Sequence, residues 1–167
     1  MEDAMAVALR QWRQVLPDAD LDTIAVIGRI NRCAALLQHA ADTPLGRAGV
    51  NRSEYDILCA LFRVGGELTP GRLARETFAS GAAVTKRIKR LEDLGLVARR
   101  ADERDRRVAH LSLTDSGSDL ISRLLPEQLA YENGLLSGLP DDRERQLAEL
   151  LAELLLLLEG RLGGMIG

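Results

Sequence analysis

Aromatic residues are scarce in this chain of 167 residues, which holds one Trp, two Tyr and two Phe. That scarcity excludes binding of single-stranded nucleic acid on a platform of stacked rings, which needs several aromatic faces in a row. Cysteine is limited to Cys33 and Cys59, too few for a disulfide scaffold. Both fall within apolar helical patterns, where cysteine serves as a small buried hydrophobe in a reducing compartment. His39 and His110 stand far apart with no Cys, His or carboxylate at ligand spacing, so neither a metal nor a cofactor is expected. No uninterrupted apolar run is long enough to span a membrane: the leucine-rich tail from Leu147 to Leu162 is broken by Glu149, Glu153, Glu159 and Arg161. No basic segment followed by an apolar one opens the chain, and the expected location is the cytoplasm. Nucleophile elbow, phosphate-binding loop and paired carboxylates in a glycine-rich loop are all lacking, so the chain is not expected to be an enzyme.

What is present is an ordinary globular composition, 46% hydrophobic and 28% charged, with an uneven distribution of charge. The net charge is −3, yet Arg72 to Arg107 holds eleven Lys and Arg against six Asp and Glu. That local balance of +5 leaves −8 for the remainder. A chain with one positive region and a negative rest can dock on phosphate through that region while its other surfaces stay clear.

The positive region has its own pattern. Ser80 is a helix N-cap, and Val84, Ile88, Leu91 and Leu94 repeat at helical spacing until Gly95 stops the helix. At roughly 100° per residue, Val84, Ile88 and Leu91 fall within about 60° of one another, with Ala82, Lys86, Lys89, Arg90 and Asp93 opposite. A helix with small residues at its start and Thr85, Lys86 and Lys89 outward has the dimensions and donors to enter a major groove. Leu96 to Arg99 and Val108 to Leu113 then predict two short strands around a tip carrying Arg100, Arg104, Arg106 and Arg107. Just upstream, Thr69 caps a helix with Pro70 at its first position and Leu73 and Phe78 facing inward. Two short helices joined at Ala79 and followed by a hairpin make a winged helix-turn-helix. Its expected DNA contacts are Ser80, Ala82, Thr85, Lys86, Lys89, Arg90, Arg104, Arg106 and Arg107, the bland alternative being a solvated charged face.

The flanks read as helices. One covers Glu2 to Leu16 with Val7, Leu9, Trp12 and Leu16; a second, capped by Asp20 or Asp22, runs to Ala41 and ends before a loop from Pro44 to Gly49. A third is capped by Asn51 or Ser53 and breaks at Gly65 and Gly66. Thr114 caps a long helix to about Asn133, with Leu120, Ile121, Leu124, Leu125 and Leu129 inward and Pro126 inside it; a last helix starts at Asp141. That last helix carries leucines on nearly all sides from Leu154 to Leu158, more than one neighbouring element covers, which points to a second subunit. The expected fold class is mostly α with a small β-hairpin wing (α+β). Residues 1–167 form one domain, with a winged helix-turn-helix lobe at 51–113 and a helical dimerisation module at 1–50 and 114–167. Such a homodimer reads a pseudo-palindromic operator in double-stranded DNA, its half-sites about one helical turn apart.

The run TPGRLARETFASGAAVTKRIKRLEDLGLVARR, then DERDRR, then LSLTDSG leading into two long helices resembles the MarR (multiple-antibiotic-resistance regulator) family of dimeric winged-helix transcription factors, over Asp22 to Leu162. The resemblance implies that the helix from Ser80 reads the major groove and that arginines among Arg104, Arg106 and Arg107 reach the minor groove. It also implies that Asp105 orients an arginine by an ion pair. Trp12 on an additional first helix, Asp56 in SEYDILCAL, Arg87 in TKRIKRL and Arg99 in GLVARR further resemble the urate-responsive branch. That likeness implies a repressor released from its operator by urate or a related purine, with those four residues as the ligand site.

The same four residues have a physical rationale. Arg87 lies about 60° off the apolar stripe, on its edge, and points back into the protein or alternatively to a phosphate. Asp56 sits on an otherwise apolar stretch and needs a cation such as Arg99, either as a purely structural pair or as part of a site for a planar anion held by a guanidinium and an indole. Trp12 is otherwise a core or interface aromatic. The competing triggers are a different ligand, or oxidation of Cys33 or Cys59.

Overall fold

The computed structural model describes residues 2–38, 43–105 and 107–162. Two compact units divide the chain, residues 1–42 and residues 43–167.

In the first unit, α1 (Ala4–Val15) and α2 (Asp22–Gln38) pack together. Asp3 caps α1, accepting the N–H of Met5 and Ala6 at 2.8 and 3.0 Å, and also takes the Arg29 guanidinium of α2 at 3.0 Å. The helices meet where Met5 lies over Gly28; a Cβ there would sit 2.3 Å from the Met5 methyl. Cys33 is exposed, not buried as expected, because the two-helix unit does not enclose that face of α2. The expected extension of α2 to Ala41 lies outside the described residues, as does His39.

The second unit opens with a short helix where a loop was expected, α3 (Pro44–Arg47), which Thr43 caps through the Gly46 N–H and which Pro44 pre-shapes at its first position. Next comes α4 (Arg52–Val64), begun by a capping box in which Asn51 accepts the Glu54 N–H at 3.0 Å and Glu54 accepts the Asn51 N–H at 2.9 Å. Gly65 ends α4 in the left-handed region at φ 65°, a conformation that glycine adopts without steric cost. Thr69 and Pro70 start α5 (Pro70–Glu76), and Ser80 starts α6 (Gly81–Asp93), both as expected.

The wing is antiparallel, β1 (Val97–Ala101) against β2 (Ala109–Leu113), in a register from Val97 opposite Leu113 to Ala101 opposite Ala109. Leu68, from the connector between α4 and α5, adds a bridge to Leu111 with N–H···O bonds of 2.9 Å both ways. That single bridge continues the hairpin by one residue and was not visible in the sequence. Thr114 caps α7 (Asp115–Leu136), which continues through Pro126 three residues beyond the expected Asn133. The last helix is α8 (Asp141–Leu162).

One apolar core joins these elements: Ile57, Leu58 and Leu61 of α4, Leu73 of α5, Val84, Ile88 and Leu91 of α6, Leu111 of β2, and Ile121 and Leu124 of α7. Some expected apolar positions lie outside it, Leu94 at the end of α6 among them at 47% exposure. Leu129 is exposed on α7, and Phe78 is 76% exposed. Phe78 has φ 49°, and a left-handed phenylalanine turns its side chain away from the core that Leu73 fills. Cys59 is half-buried at the edge of the core.

Candidate nucleic-acid interface

Helices α5 and α6 are held at a fixed angle by their turn. The Thr77 hydroxyl donates to the Leu73 carbonyl at 2.8 Å, and the Ala79 N–H reaches the Ala74 carbonyl at 3.0 Å. Ser80 then caps α6 through the Ala83 N–H at 3.4 Å, so its side chain serves the helix first. With Val84, Ile88 and Leu91 buried in the core, Ala82, Thr85, Lys86 and Lys89 are left exposed. The Thr85 hydroxyl donates to the Gly81 carbonyl at 2.8 Å, leaving its lone pairs and methyl outward.

Arg90 behaves differently from the rest of that set. Expected opposite the apolar stripe, it turns along the flank of α6, pairs with the buried Glu54 and donates to the Gly49 carbonyl at 3.2 Å. Between that flank and the α3–α4 turn lies a cleft of about 690 Å³ lined by Asn51, Glu54, Ala83, Lys86, Arg87 and Arg90.

The wing is braced at both ends. Asp102 accepts the N–H of Arg104 and Asp105 at 2.8 and 2.9 Å, shaping the tip, while its second oxygen lies 2.8 Å from His110 Nε2 on β2. Those backbone N–H groups, with the His110 contact, hold the Asp102 carboxyl down at about 2. Glu67 takes both arms of Arg100, at 3.1 and 2.7 Å, and stands 3.6 Å from His110 Nδ1. Arg104 and Arg107 are exposed at the tip, and Arg106 lies outside the described residues. Asp105 accepts the Arg107 backbone N–H at 3.0 Å, which shapes the turn, and forms no ion pair among the described residues.

Of the four candidate ligand residues, Trp12 is 46% exposed on α1 in the first unit, and the others lie in the second. Asp56 and Arg87 are brought within electrostatic reach of each other. Arg99 is not part of that group: it is exposed on β1 opposite Leu111 and forms no ion pair among the described residues. The cation on Asp56 is instead Arg52, one helical turn back, at 3.0 Å. Arg52 also reaches Glu132 of α7 at 2.5 Å and lies 5.7 Å from the Tyr55 ring centre. Desolvation raises the Asp56 carboxyl above its usual value, with Arg52 opposing. Gln128 donates to Glu132 at 2.9 Å, while its buried carbonyl oxygen has no hydrogen-bond partner among the described residues. Asp56, Cys59, Arg63, Glu76 and Phe78 line a second groove of about 280 Å³. The i, i+4 spacing of Arg52 and Asp56 was the available sequence signal for their pair; Glu132 and Gln128 had none.

A capped helix-turn-helix with a cationic outer face and an arginine-tipped hairpin defines a winged-helix DNA-binding protein. The MarR family profile matches residues 48–108. The regulator PecS of Dickeya dadantii is 32% identical over 145 residues, covering 86% of this chain and 87% of PecS. The chain belongs to the MarR family of transcriptional regulators. Among solved structures, a MarR variant from E. coli complexed with operator DNA superposes with a TM-score of 0.70 at 21% identity, covering 82% of this chain and 99% of that one. NadR in complex with 4-hydroxyphenylacetate superposes with a TM-score of 0.58 at 28% identity, covering 77% and 89%.

Proposed function

We propose that this protein is a homodimeric repressor of a pseudo-palindromic operator, and that a small anionic aromatic ligand such as urate lowers its operator affinity. Residues 51–113 act as the DNA-binding lobe, and residues 1–50 with 114–167 as the dimerisation module. Ser80, Ala82, Thr85, Lys86 and Lys89 face the major groove, and Arg104, Arg106 and Arg107 the minor groove. Asp56 and Arg87 meet the ligand, joined by Arg52.

The observation that carries this reading is the two-sidedness of α6. Lys86 and Lys89 are exposed on its outer face, while Arg87 on its flank lines the cleft beside Glu54 of α4. A ligand bound to Arg87 therefore moves the same rigid helix that presents the outward donors. The aromatic anion in NadR supports the ligand class. Expected placement in the cytoplasm fits the finding that no described helix is long and apolar enough to cross a membrane. Oxidation of Cys59 is disfavoured, because burial pushes its thiol up and the thiolate is the reactive form.

The test is a thermal melt with urate and, separately, with 4-hydroxyphenylacetate, on wild type and Asp56→Ala. A ligand at a hundredfold excess over its dissociation constant stabilises the folded state by about 2.7 kcal/mol, a shift of several degrees. A urate shift that disappears in Asp56→Ala supports the assignment. A shift with 4-hydroxyphenylacetate alone replaces the ligand, and no shift with either removes the ligand site from the proposal while leaving DNA binding untouched.

A further inference from the structure

Helix α6 has three faces rather than two. Val84, Ile88 and Leu91 are its core face, and Ala82, Lys86 and Lys89 its outer face. Ala83, Arg87 and Arg90, about 60–120° around from Val84, form a flank against the α3–α4 turn. On that flank one guanidinium spans two anchors. One of its arms meets Glu54, whose side chain is 2% exposed, and the other meets the Gly49 carbonyl. Glu54 is itself fixed, since the same Oε2 accepts the Asn51 N–H that starts α4. Gly49, at φ 73°, ends the turn that leads into α4. The last turn of α6 is thus tied to the start of α4 by a charge-assisted fork, whereas the core face alone is a single stripe of three side chains about which a helix can rock.

We propose that Arg90 is a positioning residue for operator binding: held between Glu54 and the Gly49 carbonyl, it sets the angle at which α6 presents Ala82, Lys86 and Lys89, and it does not contact phosphate itself. This rests on the reading of α6 as the groove-entering helix. Two consequences separate it from a phosphate contact. A phosphate contact contributes about 0.9 to the slope of log K against log salt, and a strut contributes nothing to it. A strut also needs its second anchor, so loss of Glu54 and loss of Arg90 have the same effect and do not add.

The experiment uses the full chain and a duplex enriched by the wild-type protein from a randomised pool. Fluorescence anisotropy is read at several salt concentrations, well below each variant's melting temperature, for Arg90→Gln, Glu54→Gln, the double variant and Lys86→Gln. Arg90→Gln and Glu54→Gln are each expected to weaken binding roughly tenfold with the wild-type salt slope, and the double variant to be no weaker than either. Lys86→Gln is expected to lower the slope by about 0.9 per subunit. If Arg90→Gln does not fold, Arg90→Met replaces it, with the same expected outcomes. A slope lowered by the Arg90 variant as it is by Lys86→Gln, or additive losses in the double variant, overturns the strut. Wild-type affinity in the Arg90 and Glu54 variants while Lys86→Gln is weakened also overturns it and leaves the role of α6 intact. Wild-type affinity in all four overturns the role of α6 as well.

Discussion

The core around α6 and the surface of α8 are built from the same aliphatic side chains and end in opposite environments. Leu58, Leu73, Val84, Ile88, Leu91 and Leu111 are almost fully buried, whereas Leu147, Leu150, Leu151, Leu155, Leu156 and Leu157 are 44–69% exposed. Both sets recur at helical or strand spacing, so amphipathic pattern does not separate them. The difference is closure: α4, α5, α6, α7 and the hairpin surround one another, while from Asp141 to Arg161 every residue of α8 but Leu154 is exposed. A leucine stripe left largely exposed by the described residues of its own unit is a surface that a second copy of the chain can complete.

That contrast is sharpest under substitution. In the core, Ile88→Ala removes three carbons from a site without solvent access and is expected to cost about 3–4 kcal/mol of unfolding free energy, measured by urea denaturation. An exposed leucine behaves otherwise. Replacing Leu151 and Leu155 together by Glu, one turn apart on α8, is expected to leave the secondary structure by circular dichroism unchanged. The same change weakens self-association by at least a hundredfold, about 3 kcal/mol, in sedimentation velocity. Intact association of that variant would move the interface off this face of α8, and with it the comparison.

The smallest effect is expected in the wing, which is held by polar contacts rather than by burial. Asp102→Ala should speed amide hydrogen exchange at Arg104 and Asp105 while leaving the core protected. The pH dependence has a definite sign. The Asp102 carboxyl titrates at about 2 in the fold against 3.8 unfolded, so its contribution is fully present above about 4. As pH falls from there through about 2, the difference between variant and wild type should close.

Much of the fold could be read locally. Ser80, Thr69 and Thr114 are N-caps as their positions imply, because a cap bonds to the second or third residue of its own helix. The apolar stripe of α6 and the stop at Gly95 are equally local. Where several outcomes share one pattern, the sequence did not discriminate. Asp56 needs a cation, for which the sequence offers Arg99 as an example, and the structure supplies Arg52, four residues away on the same helix, at 3.0 Å. Phe78 was counted inward by its spacing, and the left-handed turn between α5 and α6 sent it outward. Exposed positions on the outer face of α6 were legible because the buried stripe defines them by exclusion. Arg90 at the margin of that face was not.

The sequence by itself therefore determined the N-caps of α5, α6 and α7, the stripe that orients α6, the placement of a basic hairpin and the excess of leucine in α8. Each depends on bonds and periodicities within one or two helical turns. Tertiary structure alone decided the partners that charged residues find on other elements. Glu54 meets Arg90 across 36 positions, Arg52 meets Glu132 across 80, and Leu68 joins Leu111 at the edge of the hairpin. Charges have no periodicity that names a partner, and a carboxylate pairs with whichever cation the packed backbone brings within reach.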